Sequence, residues 1–262
     1  MKPKHTLKLR ISSIALLLLV CVSLQAQNQS STDSITPVAK DSLVIKEKYG
    51  LRIGGDIGKL IRSFVDDDYS GFEIQADYRL KKRLYIAGEI GLSEMKNITD
   101  YLNVTTNGTY LKAGIDYNLY ENWLDMDNMI YSGFRIGAST FSHDLNSYTI
   151  YNTNQYWPSL TENDLRKYNG LTATWAEIIM GVKAELLNNL YLGFNVQLKF
   201  LLAESSPNNF ENLFIPGFNK TYDSGRIGVG YSYTLSYRIP LYKKNKVSAK
   251  KEKEKEEENE KK

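Results

Sequence analysis

Apolar and polar residues alternate along much of the chain. From Leu190, the run LYLGFNVQLKF places leucine, phenylalanine and valine on one side and tyrosine, glycine, asparagine, glutamine and lysine on the other. A period of two residues predicts a β-strand with two unlike faces. The same alternation recurs in eight segments between Tyr49 and Tyr242, at 49–57, 71–80, 84–92, 110–119, 130–138, 174–186, 190–200 and 226–241.

The connections between these segments alternate in length. Longer ones are expected at 58–71, 94–108, about 140–171 and 202–224, and shorter ones at 81–83, 120–128 and 188–189. Bacterial outer-membrane barrels have long outside loops and short periplasmic turns. The sequence therefore predicts an all-β fold, an eight-stranded antiparallel up-and-down transmembrane β-barrel with four long outer loops and three short periplasmic turns.

A membrane barrel turns the apolar face of its strands outward, whereas a soluble barrel turns it inward. Tyrosines at 49, 78, 117 and 237 lie on that face near strand ends, where a girdle at the lipid headgroups is expected. Glycines crowd the polar face, as a cramped interior requires. The polar face also carries eight positive and seven negative side chains: Arg52, Asp56, Glu73, Asp77, Arg79, Glu89, Lys112, Asp116, Arg135, Glu177, Lys183, Glu185, Lys199, Arg226 and Arg238.

We therefore expect the apolar face to contact lipid and the charged side chains to fill the lumen. Eight strands leave a lumen just wide enough for its own side chains, so a structural core is favoured over a conduction path or proton relay. The function predicted is a structural or loop-mediated recognition role, with no large-solute pore. The alternative is a soluble periplasmic lipocalin-like barrel that binds a small apolar ligand.

The two ends of the chain differ from the alternating region. Four basic residues precede an apolar run from Ile11 to Leu24, which predicts a signal peptide over 1–26 cleaved after Ala26 and export to the bacterial outer membrane. Lipidation at Cys21 is disfavoured because the bulky Val20 precedes it. Residues 27–47 are expected to form a flexible lead-in, 48–242 the barrel, and 243–262, with nine lysines and six glutamates, a charged periplasmic tail.

Composition narrows the chemistry. Without the four basic residues of the predicted signal peptide, 29 of the 33 Lys and Arg remain against 30 Asp and Glu, so the net charge gives no reason to expect nucleic acid. The segment after residue 26 has no cysteine and one histidine, His143, so a zinc site or a histidine-based triad is not expected. We predict no enzymatic activity and no cofactor.

Three loop features are candidate sites. The longest loop carries aromatic residues among asparagines and threonines, a composition typical of recognition surfaces, or of a cap over the barrel mouth. Its candidate recognition residues are Tyr148, Tyr151, Tyr156, Trp157 and Tyr168. Asp66-Asp67-Asp68 is interpreted as solvated charge because it lacks the spaced ligands of a calcium loop. Ser142, His143 and Asp144 are adjacent, which does not establish a catalytic set.

Several runs resemble an uncharacterised family of small secreted proteins of Gram-negative bacteria, thought to be outer-membrane β-barrels. The resemblance covers about 48–242 and is carried by KYGLRIGGDI, FVDDDYSGFEI, NLYENWLDMDNMIYSGFRIGASTFS, SYTIYNTNQYW, AELLNNLYLGF and FIPGFNKTY. It implies fold and location and no catalytic residue. The partners expected for such a barrel are outer-membrane lipid, the barrel assembly machinery and an extracellular glycan or protein bound through the long loops.

Overall fold

Eight long antiparallel strands dominate the computed structural model, which describes residues 46–120, 127–150, 161–162, 166–207, 211–220 and 225–245. One helix, α1, covers Ile57–Val65, and short strands cover Thr161–Glu162, Phe214–Ile215 and Asn219–Lys220. The long strands are β1 Lys46–Asp56, β2 Tyr69–Arg79, β3 Leu84–Ile98, β4 Leu102–Asn118, β5 Met129–Thr149, β6 Arg166–Leu187, β7 Leu190–Glu204 and β8 Ile227–Asn245.

Each long strand pairs with the next along the chain, and the last pairs with the first. β8 pairs with β1 in antiparallel register, with Arg238 opposite Arg52. The sheet is therefore a closed eight-stranded up-and-down barrel, as the alternation predicted. Closure leaves no free sheet edge around most of the wall, which is the usual way in which β proteins avoid edge-to-edge association.

The two ends of the barrel carry different connections. We call the end with connections 57–68, 99–101, 150–165 and 205–226 the loop end, and the end with connections 80–83, 119–128 and 188–189 the turn end. At the turn end, Asn189 adopts φ 68°, a left-handed conformation that asparagine tolerates, and so closes the tight β6–β7 turn.

Two predicted loops at the loop end are partly strands. The segment 94–108 belongs largely to β3 and β4, which meet at a turn where the Thr99 amide donates to the Leu102 carbonyl at 2.8 Å. β5 and β6 likewise extend to Thr149 and from Arg166 into the predicted loop 140–171. Hydrophobic alternation missed these extensions because on β4 and β5 the outward residues become Thr, Asn, Ser and Asp, while the apolar residues Val104, Phe141 and Leu145 point inward. The apolar face therefore changes sides along the strand.

The helix α1 was also missed, since its segment was predicted as loop. The Asp56 side chain at the end of β1 accepts hydrogen bonds from the Gly58 and Lys59 amides and caps the helix N-terminus. At nine residues the helix is short, and the preceding alternation leads directly into it. Within the described residues, no helix is long and apolar enough to cross a membrane.

Candidate functional site

The outward face of the barrel is a continuous apolar surface. On β7, Leu192, Phe194, Val196 and Leu198 are 38–45% exposed, whereas the inward Tyr191, Asn195, Gln197 and Lys199 are buried. We call the outward surface the apolar belt. Its exposed members are Ile53, Phe72, Ile74, Ile86, Ile90, Leu92, Leu111, Ile115, Tyr117, Ile130, Phe134, Ile136, Ile178, Met180, Val182, Leu186, Leu192, Phe194, Val196, Leu198, Leu202, Ile227, Val229, Tyr231, Tyr233, Leu235, Tyr237, Ile239 and Leu241.

The belt ends sharply toward the loop end. On β5 the outward residues change from Phe134 and Ile136 to Thr140, Ser142 and Asp144. On β4 they change in the same way, because Leu111 is preceded by threonines and asparagines on the outward face. The belt is thus a band with a polar border, and the described strands project beyond it.

The predicted tyrosine girdle is only partly correct. Tyr117 and Tyr237 are exposed on the outward face, and Tyr78 is half-buried there. Tyr49 is buried instead, with its ring stacked 5.1 Å from that of Tyr242. The register of β1 against β8 shifts between Tyr49 and Gly50, and such a β-bulge redirects side chains. Alternation alone could not locate this shift.

The lumen contains the charged side chains. Of the fifteen predicted, Arg226 is exposed because it precedes β8 at the loop end, so its assignment to the interior was wrong. Glu185 is half-buried at the turn end, and the rest are buried. Buried charges cost free energy unless they are paired, so their arrangement determines whether this interior is stable.

One set of ion pairs crosses the lumen between β1, β2 and β6. Asp77 accepts from Arg52 Nε through Oδ1 at 2.6 Å and from Lys183 Nζ through Oδ2, also at 2.6 Å. The Arg52 guanidinium additionally lies over the rings of Tyr85 and Tyr191, at 4.9 and 5.2 Å from their centroids. Both oxygens of the Asp77 carboxylate are therefore engaged with cations from opposite walls.

A second set lies nearer the loop end around Lys112. Its ammonium group pairs with Glu89, lies 3.4 Å from Glu73 Oε2 and lies 3.9 Å from Glu177 Oε2. Lys199 Nζ lies 3.7 Å from Glu177 Oε1, which also accepts from Trp175 Nε1 at 2.6 Å. Lys112 is 1% exposed, and Glu177 and Trp175 are fully buried. These charged side chains and the Trp175 ring therefore fill the lumen of the barrel at this level.

Glycines make room for this packing, as the sequence predicted. A Cβ atom at Gly137 would lie 2.3 Å from Trp175 Cε2, and one at Gly91 would lie 2.3 Å from the Tyr110 hydroxyl oxygen. Neither distance allows a methyl group. The large inward side chains therefore depend on neighbouring positions that have no side chain.

A third cluster closes the turn end. Arg238 pairs with Asp127 and with Glu185 Oε1 at 3.3 Å, and Lys48 Nζ lies 3.4 Å from the same Glu185 oxygen. Asp127 comes from the β4–β5 connection and was not a predicted interior charge. Because it lies outside any alternating segment, the period of two gave no signal for it.

The β7–β8 connection folds into the barrel at the loop end. Ile215 and Phe218 are fully buried, and Phe218 meets Trp175 edge to face at a centroid separation of 6.1 Å. Gly217, at φ 81°, presents its carbonyl oxygen to Lys199 Nζ at 2.6 Å. This run, FIPGF, is a mouth plug. The segment was predicted only as a longer connection, and its Pro-Gly pair was the available signal for a tight turn.

The predicted recognition residues are not assembled into one described surface. Tyr148 is half-buried near the end of β5. Tyr168 is half-buried on β6, where it packs against the buried hydrophobic cluster that includes Trp175 and Phe218 of the plug. Tyr151, Tyr156 and Trp157 lie outside the described residues. Both described tyrosines thus lie on strands that project beyond the belt, and on β5 Tyr148 follows the outward polar residues Thr140, Ser142 and Asp144.

Ser142, His143 and Asp144 do not converge. They lie on β5, where His143 points inward while Ser142 donates to Asn107 Oδ1 at 2.7 Å and Asp144 pairs with Lys167 at 3.3 Å. The His143 ring bridges Thr106 Oγ1 at 2.7 Å and Asn212 Oδ1 at 2.9 Å. His143 lies past the border of the belt, and its burial lowers its pKa.

The three consecutive aspartates lie where α1 ends. Asp66 accepts from Arg62 Nε at 3.1 Å and from the Asp68 amide at 3.2 Å, and Asp67 and Asp68 are exposed. Among the described residues, no group of three or more His, Cys, Asp or Glu side chains is placed to hold a metal ion. This arrangement matches solvated loop charge and helix capping.

Comparison with known proteins finds similar solved structures and one family. The chain is similar to Ail, the attachment invasion locus protein of Yersinia pestis, at 9% identity and a TM-score of 0.36, over 73% of this chain and 98% of that one. It is also similar to Neisserial surface protein A, NspA, at 9% identity and a TM-score of 0.36, over 74% and 99% of the two chains. No curated protein matches it. The model of the family described as a domain of unknown function, DUF6048, matches residues 6–244, and the chain belongs to that family.

Proposed function

We propose that this protein is an outer-membrane β-barrel of a Gram-negative envelope, exported by its N-terminal signal peptide and surrounded by lipid. The observation that carries the proposal is the inverted arrangement of the wall. Apolar side chains cover the outside in a band with a polar border, while charged side chains are buried within. A protein in water is destabilised by so large an exposed apolar surface, whereas a bilayer covers it.

The soluble alternative requires the opposite arrangement. A lipocalin-like barrel holds an apolar ligand against inward apolar side chains. Here the lumen contains the Asp77 and Lys112 ion pairs, and the mouth plug fills the loop end. The same contacts argue against a pore for large solutes.

The role proposed is that of a rigid envelope element whose loop end serves recognition. From the border of the belt near Ala138, β5 continues to Thr149, which at 3.3 Å per residue amounts to about 35 Å of strand. Strands of this length hold connecting segments away from a membrane. The recognition residues are Tyr148, Tyr151, Tyr156, Trp157 and Tyr168, and the ligand class proposed is an extracellular glycan or protein.

Cell fractionation tests the location. The intact protein is expected in the outer-membrane fraction, and it should migrate differently in gels before and after boiling because a folded barrel resists detergent. Recovery in the soluble periplasmic fraction, with a single mobility, would contradict the proposal. Recognition is tested separately by comparing the intact protein and a variant lacking residues 151–160 for binding to immobilised glycans and matrix proteins. Equal binding by both would exclude a role for that loop.

A further inference from the structure

The barrel wall has a seam beside β1 at the loop end. β1 stops at Asp56, which lies opposite Thr234 of β8, and its last pair with β2 joins Gly55 to Ile74. Toward the loop end from these positions, β8 continues through residues 227–233 and β2 through residues 69–73. These stretches have no β1 residue between them, although they carry the belt residues Phe72, Val229 and Tyr231.

The helix α1 occupies this seam and contacts both β2 and β8. Its Ser63 hydroxyl oxygen accepts from the Gly71 amide of β2 at 2.8 Å and lies 3.2 Å from the Gly71 carbonyl oxygen. A side chain thus replaces the missing strand as the partner of the β2 backbone. Its first turn packs on β8, since a Cβ atom at Gly58 would lie 3.2 Å from Tyr233 Cδ2.

The polar face of α1 points into the barrel. Lys59 pairs with Glu73 and the Tyr110 hydroxyl in the lumen, and Ser63 lies one turn further along the same face. The opposite face carries Ile61, Phe64 and Val65, which are 59%, 87% and 67% exposed. A helix on a water-soluble surface has the reverse orientation, with its apolar stripe against the protein.

We infer that α1 is part of the membrane-embedded wall, and that Ile61, Phe64 and Val65 lie against lipid acyl chains. The inference rests on the proposed membrane location of the barrel. It is carried by the inverted amphipathicity of the helix, by its place beside belt residues of β2 and β8, and by the Ser63–Gly71 contact. In a bilayer an unpaired sheet edge does not persist, so a helix at this seam has to satisfy the edge and face lipid at once.

Site-directed spin labelling tests the inference. The full chain is prepared with Cys21→Ala, which removes its single cysteine, and carries Phe64→Cys, with Ile61→Cys as a second variant on the same helix face. Val196→Cys in the belt and Asp67→Cys just after the helix are the controls. Each labelled protein is reconstituted in phosphatidylcholine and phosphatidylglycerol vesicles, and folding is checked by gel mobility. The measurement compares collision of the label with oxygen, which concentrates in lipid, and with a water-soluble nickel chelate.

The four positions separate the inference from the proposal on which it rests. Labels at 61, 64 and 196 are expected to favour oxygen, and the label at 67 to favour nickel. Oxygen preference at 196 with nickel preference at 61 and 64 would overturn the inference and leave the barrel in the membrane. Nickel preference at 196 would contradict the proposed membrane location of the barrel. Protection of 64 from both reagents, with spectral broadening between labels, would show that a second copy covers the helix and would also overturn the inference.

Discussion

Gly137 leaves space that the Trp175 ring occupies inside the barrel. The ring cannot retreat, because Trp175 is fully buried, donates to Glu177 and packs on Phe218. We expect Gly137→Ala to lower the free energy of unfolding by about 1–3 kcal/mol, since its methyl group would overlap the ring. Urea unfolding of the reconstituted protein measures this change.

Gly88→Ala is the matched control for that substitution. Gly88 lies on β3, and the nearest atom to a Cβ there is the Lys112 carbonyl oxygen at 3.6 Å, an ordinary contact. The control is expected to stay within about 0.5 kcal/mol of the wild type. If Gly137→Ala and Gly88→Ala lower the free energy of unfolding by the same amount, Gly137 does not act by making room for Trp175.

His143 connects β5, β4 and the β7–β8 connection through both ring nitrogens. Asn212 Nδ2 donates to Glu204 Oε2 at 2.6 Å and to the Ser205 carbonyl at 3.0 Å, which leaves Asn212 Oδ1 to accept from His143 Nε2. Because burial disfavours the charged ring by lowering its pKa, His143 Nδ1 is assigned as the acceptor of the Thr106 hydroxyl. Burial lowers the pKa of His143 below its usual value of 6.5.

This lowered pKa makes the packing of the β7–β8 connection against His143 sensitive to acid. The closed state has this contact, and the open state lacks it. In the open state the ring binds a proton near pH 6.5, so its contribution to closure is complete above that pH and is lost as the pH falls toward the lower pKa of the closed state. We expect amides of residues 211–220 to exchange faster at pH 5 than at pH 7, after correction for intrinsic rates. Mass spectrometry measures this exchange. His143→Gln should reduce the difference, and an unchanged difference would assign the effect to another group.

At the scale of elements, alternation predicted the strands well wherever the outward face is apolar and the inward face is polar. All eight predicted segments lie within or largely within long strands. Charged side chains pointing inward and apolar side chains pointing outward give these segments a strong period of two. The same rule failed for the extensions of β4 to β6, where the outward face is polar and buried apolar residues such as Val104, Phe141 and Leu145 point inward, so the pattern of the preceding segment is reversed. It also failed for α1 and the mouth plug, whose conformations depend on the space left between strands rather than on their own sequence pattern.

In the seam, the Ser63 hydroxyl is the side-chain partner of the β2 backbone. Ser63→Ala removes the acceptor of the Gly71 amide, and an unsatisfied buried donor costs about 1–3 kcal/mol. We expect that loss in the free energy of unfolding, with faster exchange at the Gly71 amide. Ser70→Ala, an exposed neighbour on β2, serves as the control and should change neither quantity. Equal exchange at Gly71 in both variants would mean that water replaces the serine.

At the scale of the whole molecule, the candidate site could be predicted only in part. The balanced inward charges and their glycines follow from alternation, because a narrow lumen accepts charge only in pairs. Which charges pair does not follow: Asp77 meets Lys183 across the lumen, and Asp127 comes from a connection. Such contacts depend on the register and closure of the ring, which a single strand does not encode. The recognition tyrosines remain a prediction from composition.

The orientation of the whole barrel has a direct thermodynamic consequence along β5. Phe134 lies in the middle of the belt, and Thr140 lies on the same outward face beyond its border. A lysine near the bilayer midplane costs about 2–4 kcal/mol, and one near the interface about 0–1 kcal/mol. In unfolding titrations from vesicles, Phe134→Lys should therefore be destabilised by that larger amount and Thr140→Lys by little. Similar costs at the two positions would mean that one solvent surrounds both, and a barrel with water on its outside would then be the better account.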